Sequence, residues 1–125
     1  MQNCPFCHLE KKNFLVENEW SVVFEDNYPL SQGHSLIVPK RHVASWFETS
    51  EEEQLALFQA LQQTKEYLDK TFHPMGYNVG FNDGVAAGQT VFHVHLHLIP
   101  RYQGDCVDPR GGIRWIFPEK AVYWK

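Results

Sequence analysis

The feature that most constrains this chain is the run His93-Val94-His95-Leu96-His97-Leu98, in which imidazoles and aliphatic side chains alternate without a break. Alternation with period two puts the three histidines on one side of an extended chain and Val94, Leu96 and Leu98 on the other. Phe92 to Ile99 is therefore read as a β-strand closed by Pro100. A single histidine in such a place reads as part of a solvated polar face. Three together, each titrating near neutrality, would repel one another if protonated, so a protein keeps such a cluster to bind metal, move protons or meet an anion.

Two more strands are expected upstream. Trp20 to Asp26 is rich in aromatic and β-branched residues and stops at the turn Asn27-Tyr28-Pro29, and Ser35-Leu36-Ile37-Val38 lies between Gly33 and Pro39. Ser50 and Glu53 have the S-x-x-E spacing of a capping box, which starts a helix of about six turns ending at His73-Pro74-Met75-Gly76. Its apolar face is read as Leu55, Phe58, Leu61, Leu68 and Phe72, with a polar gap around Thr64 and Lys65. Tyr77 to Asn82 alternates as a half-buried strand, and Asp83-Gly84 to Gly88 forms a glycine-containing loop placed to touch a ligand. Strands, one long helix, then strands with short connections predict an antiparallel sheet with a helix on one face, an α+β fold. At 125 residues the chain suits one domain over 1–125, with an irregular tail from about Gly104 and a short strand around Ile113 to Phe117.

Composition narrows the partners. With 43% hydrophobic and 21% charged residues the chain falls outside the composition of disordered proteins, and a net charge of −4 supplies no field for a long nucleic acid. No stretch approaches the ~20 apolar residues of a membrane span, and Met1-Gln2-Asn3-Cys4-Pro5 lacks the order of a secretory signal, so the expected address is the cytoplasm. Of the three cysteines, Cys4 and Cys7 have the C-x-x-C spacing of metal or redox chemistry, and Cys106 reads as a free thiol. Two thiolates leave a tetrahedral zinc in need of two imidazoles, and seven histidines, His42 among them, supply candidates.

Gly88-Gln89-Thr90 directly precedes the histidine strand. A flexible glycine followed by an amide and a hydroxyl suits hydrogen bonds to phosphate oxygens, or an ordinary turn. No P-loop and no G-x-G-x-x-G fingerprint is present, so a bound phosphate falls to the histidine face and this loop.

From Gln89 to Arg101 the sequence resembles the signature of the histidine triad, or HIT, family, His-φ-His-φ-His-φ-φ with φ apolar. Gly33-His34-Ser35-Leu36-Ile37-Val38-Pro39-Lys40-Arg41-His42, Asp26 with Asn27, and Asn82 extend the likeness from about Cys4 to Tyr102. Short bacterial members described as diadenosine tetraphosphate hydrolases are the most similar branch. The resemblance implies a sheet of about five strands with one long and one short helix, a purine nucleotide substrate, adenosine-based, and a homodimer. It implies that His95 attacks the α-phosphorus to form a nucleotidyl-histidine that water then hydrolyses. It also implies His97 and His34 around the phosphate, and Gln89 and Thr90 on its oxygens or the leaving group. Asp26, Asn27 and Asn82 would lie near the ribose or support the pocket, and the base would sit among apolar side chains such as Val22 and Phe24. A structural zinc would be held by Cys4, Cys7, His42 and His93, with no catalytic metal required.

Two other functions use the same residues. His93, His95 and His97 can be pictured holding one catalytic zinc of a hydrolase, or the motif can serve a nucleotide-binding module without turnover. The tail from Asp105 to Lys125 lies outside the resemblance. It is expected either to influence specificity or only to pack Trp115, Phe117 and Trp124 over the sheet.

Overall fold

The β-branched runs of the sequence pair along their whole length. In the computed structural model, which describes residues 3–125, β2 (Ser21–Glu25) pairs antiparallel with β3 (Ser35–Pro39), Phe24 lying opposite Leu36 and Val22 opposite Val38. β1 (Phe14–Glu17) flanks β2; on the other side β3 is followed by β5 (Leu96–Arg101) and then β4 (Gly76–Gly80). Among the described residues this makes one five-stranded antiparallel sheet in the order β1-β2-β3-β5-β4. The chain leaves β3, crosses one face as α1 (Glu51–Phe72), forms β4 at the far edge and returns as β5 to the middle. The α+β architecture is the expected one, although β1 was not read from the sequence.

α1 begins as its capping box requires. The Ser50 hydroxyl accepts the Glu53 N–H at 3.1 Å and the Glu53 carboxylate accepts the Ser50 N–H at 2.9 Å. The same buried carboxylate takes two bonds from the Arg41 guanidinium, at 2.8 and 3.0 Å, which clamps the segment after β3 to the helix start. The buried stripe is Glu53, Ala56, Leu57, Ala60, Thr64 and Leu68, which corrects the face read from the sequence. Thr64 is part of that stripe, because its hydroxyl is satisfied by the Ala60 carbonyl at 2.7 Å and only a methyl is left to pack. Leu55 and Phe58 turn to solvent instead. Proline follows the helix as expected, and His73 ends it in a left-handed conformation with φ of 53°.

The strand register divides the sheet into two faces. Val23, Ile37, Leu96 and Leu98 point to α1 and form the main core with Leu57, Ala60, Leu68 and Val94. Val22, Phe24, Leu36 and Val38 point to the opposite face, where Phe6, Leu9 and Phe14 cover them. His97, Ile99 and Arg101 continue that second face along β5.

β5 starts at Leu96 and not at Phe92, and the cause is Pro39. The β3–β5 register pairs Ile37 with Leu96, and two residues further on it would set Pro39 against Val94. Proline has no N–H to give the ladder. The Val94 N–H turns instead to the Val43 carbonyl at 2.8 Å, and the Pro39 carbonyl takes a hydrogen bond from the His93 ring.

The tail also differs from expectation. Residues 112–116 form a 3-10 turn in place of a strand, followed by α2 (Pro118–Ala121). The Arg114 guanidinium donates to the Lys120 and Ala121 carbonyls, Trp115 Nε1 donates to the Arg110 carbonyl at 2.8 Å, and the Arg110 guanidinium lies over the Trp124 ring at 4.4 Å. These bonds close the tail on itself against the β4–β5 end of the sheet. No helix among the described residues is long and apolar enough to cross a membrane.

Candidate active site

Covering the second face of the sheet at both ends leaves a gap over its middle. The N-terminal segment with Phe6 and Leu9 lies over β2 and β3, and the tail lies near β4 and β5. His95 and His97 stand between them, with ring centroids 5.3 Å apart.

Each imidazole has a different partner, and the partner sets its tautomer. His95 Nδ1 lies 2.8 Å from the His93 carbonyl. A carbonyl can only accept, so the proton sits on Nδ1 and the Nε2 lone pair is left available. His93 Nε2 lies 2.8 Å from the Pro39 carbonyl, which by the same reasoning leaves the lone pair on Nδ1. For His34, the Leu30 backbone N–H donates to Nδ1 at 3.0 Å and puts the proton on Nε2. That proton is shared with His97 Nδ1, 2.9 Å away, with the Asp26 carboxylate at 3.4 Å on its flank. His97 is therefore left holding its own proton on Nε2.

This chain keeps His97 neutral. Burial first, then the nearby His95 and His34 rings, push its pKa from the ordinary 6.5 down to about 4. Burial lowers His34 as well, against the opposing pull of Asp26. His34 is buried and bonded to His97, so it reaches the cleft only through that ring, where the expectation set it beside the phosphate itself. Asp26, Oδ1 of which accepts the Tyr28 N–H at 2.8 Å, likewise stands behind the histidines.

His93 Nδ1 faces Cys4 Sγ at 3.5 Å and Cys7 Sγ at 3.6 Å, and His42 Nδ1 lies 3.2 Å from Cys7 Sγ. A tetrahedral zinc with Zn–S near 2.3 Å and Zn–N near 2.0–2.1 Å has S···N edges of about 3.6 Å. The four donors thus already have the spacing of a tetrahedral site, all lying within 4.8 Å of one another. Burial, then the adjacent Cys4 sulfur, push the Cys7 thiol up, a penalty that a cation between the two sulfurs would relieve. The Pro39 carbonyl supplies the outer hydrogen bond that orients a metal-ligating histidine. Asp26, His34 and His97 form a second close cluster. There a metal on His34 Nε2 would force the ring proton onto Nδ1, against the Leu30 N–H, so the arrangement suits proton sharing and not a cation. His93, His95 and His97 turn to three separate partners and offer no common donor set for one ion.

One cavity lies on the Phe6 side of His95, and another reaches His97. One, of about 590 Å³, is lined by Phe6, Leu9, Phe14, Phe24 and Asn27 among others, and the Phe6 ring lies 5.1 Å from the His95 ring. The other, of about 480 Å³, is lined by His97 and Asn82 together with Leu30, Ile99, Ile113 and Ile116. Phe24 and Asn27 thus line the first of these cavities, and Asn82 and His97 the second. Val22 is not on a cavity wall, because it is buried in the apolar cluster beneath Phe6, Leu9 and Phe14.

Gln89 departs furthest from its expected role. Its side chain is buried, Oε1 accepts the Gly84 N–H at 2.8 Å, and Nε2 donates to the Ala44 and Val91 carbonyls at 2.8 and 3.1 Å. An amide with every group bonded to backbone holds the 84–88 loop in place and has nothing left for a phosphate. Thr90, next to it, is exposed. Phe6 was missed by the sequence reading. It sits inside the C-x-x-C, and only the fold carries it to His95.

The HIT domain family model matches residues 9–104, and the chain belongs to that family. It is 36% identical over 103 residues to the adenosine 5'-monophosphoramidase hnt1 of Schizosaccharomyces pombe, covering 79% of this chain and 74% of that one. It is 38% identical over 85 residues to the asymmetrical bis(5'-nucleosyl)-tetraphosphatase of the same organism, covering 68% of this chain and 47% of that one. Among solved structures, a zinc-bound histidine triad family protein from Mycobacterium smegmatis superposes with a TM-score of 0.75 at 32% identity, over 86% of this chain and 81% of that one.

The half-buried, neutral His97 has a measurable consequence. Between about pH 6.5 and pH 4 the unfolded chain holds the proton that folded His97 refuses, so its contribution to stability is complete above pH 6.5 and is lost as pH falls towards 4. His97→Gln should reduce the drop in urea midpoint between pH 7.5 and pH 5. Part of the drop should persist, since His34 is lowered too.

Proposed function

We propose that this protein is a nucleotide hydrolase that breaks a bond at the α-phosphorus through a nucleotidyl-histidine on His95. One observation carries the reading: His95 Nδ1 is committed to the His93 carbonyl at 2.8 Å, while its ring stands 5.1 Å from Phe6, which lines one cavity, and 5.3 Å from His97, which lines another. The Nε2 lone pair forms the N–P bond, and the bond from phosphorus to the leaving group breaks with its electron pair going to the leaving atom. Water then attacks phosphorus, the N–P bond breaks, and the mononucleotide is released as His95 recovers its lone pair. His97 offers an uncharged Nε2–H to a phosphoryl oxygen, with His34 as the positioning residue behind it.

The relatives support this class of chemistry, one being a monophosphoramidase and another a bis-nucleosyl tetraphosphatase. The base is assigned to the cavity where Phe6, Phe14 and Phe24 offer ring faces and Asn13, Asn27, Lys12 and Glu25 offer polar groups; Phe6 lies 5.1 Å from the His95 ring. A purine of the adenosine type fits the names of those relatives.

Zinc on Cys4, Cys7, His42 and His93 is assigned a structural part. It would anchor the N-terminal segment and the backbone of His93, whose carbonyl orients His95, and the reaction needs no metal at phosphorus. A homodimer is proposed through the outer edge of β4. Among the described residues that edge has no strand beside it; Val79 on β4 and Phe81 just after it are exposed, with Trp46 against Phe81 and the exposed Phe58 against Trp46.

Four outcomes are expected. His95→Ala should reduce AMP release from diadenosine tetraphosphate and from adenosine 5'-phosphoramidate by about 10⁴-fold or more, on the order of what loss of a covalent nucleophile costs. Brief reaction of the wild type should leave an AMP adduct on the His95 peptide in mass spectrometry. Saturable binding with no adduct and no turnover would instead identify a binding module. Metal analysis should find one zinc per chain, and chelation should lower the melting temperature; turnover lost with the melting temperature unchanged would place the metal in the chemistry. Sedimentation should give twice the 14.6 kDa chain mass, and Val79→Lys with Phe81→Lys should return the monomer.

A further inference from the structure

We infer that Cys4 and Cys7 form a modification site for hydroperoxides, and that their oxidation to a disulfide removes the donors held against His93 and unseats Phe6 from His95. The thiol chemistry stands by itself, while its effect on turnover rests on the nucleotidyl-histidine reading above.

The turn that carries the two cysteines is already closed. Pro5 opens a 3-10 turn over Pro5–Cys7, and the Cys7 N–H donates to the Cys4 carbonyl at 3.1 Å. Such a turn keeps the Cα atoms of its first and fourth residues within about 7 Å, the outer reach of a disulfide bridge. Both sulfurs face the same atom, His93 Nδ1, at 3.5 and 3.6 Å, so they stand on one side of the turn. Cys7 is half-buried and Cys4 is buried, so an oxidant meets Cys7 first. The Cys7 sulfur takes an OH group from the hydroperoxide: an S–O bond forms, the O–O bond breaks, and the departing oxygen leaves with the thiol proton as water or an alcohol. Cys4 Sγ then attacks Cys7 Sγ; the S–S bond forms, the S–O bond breaks, and the hydroxyl leaves as water with the Cys4 proton. The sulfurs give up two electrons between them and the peroxide gains both. Cys106 lies apart in the tail, 3.3 Å from the Arg101 guanidinium, against the other end of the sheet.

The reduced sulfurs hold this corner of the molecule together. His93 is fully buried, its Nε2 is committed to the Pro39 carbonyl, and Cys4 and Cys7 face its Nδ1; Cys7 also lies 3.2 Å from His42 Nδ1. A thiol can donate to a ring nitrogen and a thiolate can share a cation with it, but a disulfide does neither. Oxidation therefore leaves a buried ring nitrogen without a partner, and buried polar groups persist in folded proteins when they are bonded. Water must reach Nδ1, which lifts the turn from the sheet. Phe6 lies between the two cysteines in the chain and goes with it. Its ring stands 5.1 Å from His95, 6.0 Å from His93 and 5.4 Å from Phe24, so one displacement uncovers both the proposed nucleophile and the Phe24 wall.

The test treats the full chain, loaded with zinc and carrying Cys106→Ser, with hydrogen peroxide. The peptide spanning residues 1–11 should lose two hydrogens in mass spectrometry, and zinc should pass to a colorimetric chelator. Amide exchange across Phe6 to Leu9 should quicken by about tenfold or more. Dithiothreitol and zinc should restore all three. A sulfinate on Cys7 without a disulfide, or a disulfide formed with zinc retained and exchange unchanged, would overturn the inference. Where turnover of diadenosine tetraphosphate or adenosine 5'-phosphoramidate is present, oxidation should lower kcat/KM by about a hundredfold and reduction should recover it. Phe6→Ala should lower kcat/KM in the reduced chain to a similar level and make it insensitive to peroxide. Unchanged turnover in the oxidised chain would overturn the link from Phe6 to His95 while the hydrolase reading stands. If the mass, zinc and exchange changes appear in a chain that turns over neither compound, the hydrolase reading falls and the thiol switch remains.

Discussion

The hydrogen bond from His93 Nε2 to the Pro39 carbonyl, 2.8 Å long, connects the scaffold of this protein to its chemistry. Pro39 ends the β3–β5 ladder because it has no N–H, and its unpaired carbonyl takes up the histidine that the ended ladder releases. That bond leaves the other ring nitrogen of His93 for the cysteine cluster and fixes the backbone whose carbonyl receives His95 Nδ1. One proline thus sets the tautomers of two histidines. Both depend on where a β-ladder stops.

The face of the sheet away from α1 is divided between the two ends of the chain. Phe6 and Leu9 cover β2 and β3, and the tail lies against β4 and β5. The opening between them is where the alternating histidines emerge. A sheet covered on both faces throughout would bury those imidazoles at a cost in solvation, and one left bare would expose Phe24, Leu36 and Val38 to water. Partial cover meets both demands and forms a cleft with a wall at either side.

Behind the cleft, the order Leu30 N–H, His34, His97 passes a single choice of proton position from backbone to ligand. Burial suppresses the charge on both rings, so in the proposed reaction His97 would meet an anion as a neutral donor whose direction is already fixed. Such a group strengthens its bond as charge develops on phosphoryl oxygens and needs no reorganisation to do so.

Much was legible in the sequence. The period of two around His95, the Ser50–Glu53 cap and the C-x-x-C are local patterns, and local patterns report secondary structure and ligand sets directly. They located the sheet, the long helix, the histidine cluster and the cysteine pair, while the choice of His95 as nucleophile and of His42 and His93 as the other two donors came from the resemblance to the HIT family. Gln89, Val22, Thr64 and the tail were misread because their roles depend on partners distant in the chain. Gln89 is saturated by Ala44, Gly84 and Val91, Val22 is covered by the N-terminal segment, and Ile113 reaches the cleft only when the tail folds back. The sequence determined which chemical groups are present and on which side of a strand they stand, since backbone geometry alone decides that. Which of them keeps a free lone pair, and which is spent on the scaffold, was decided by the tertiary structure, because a hydrogen bond is settled only when both partners are in place.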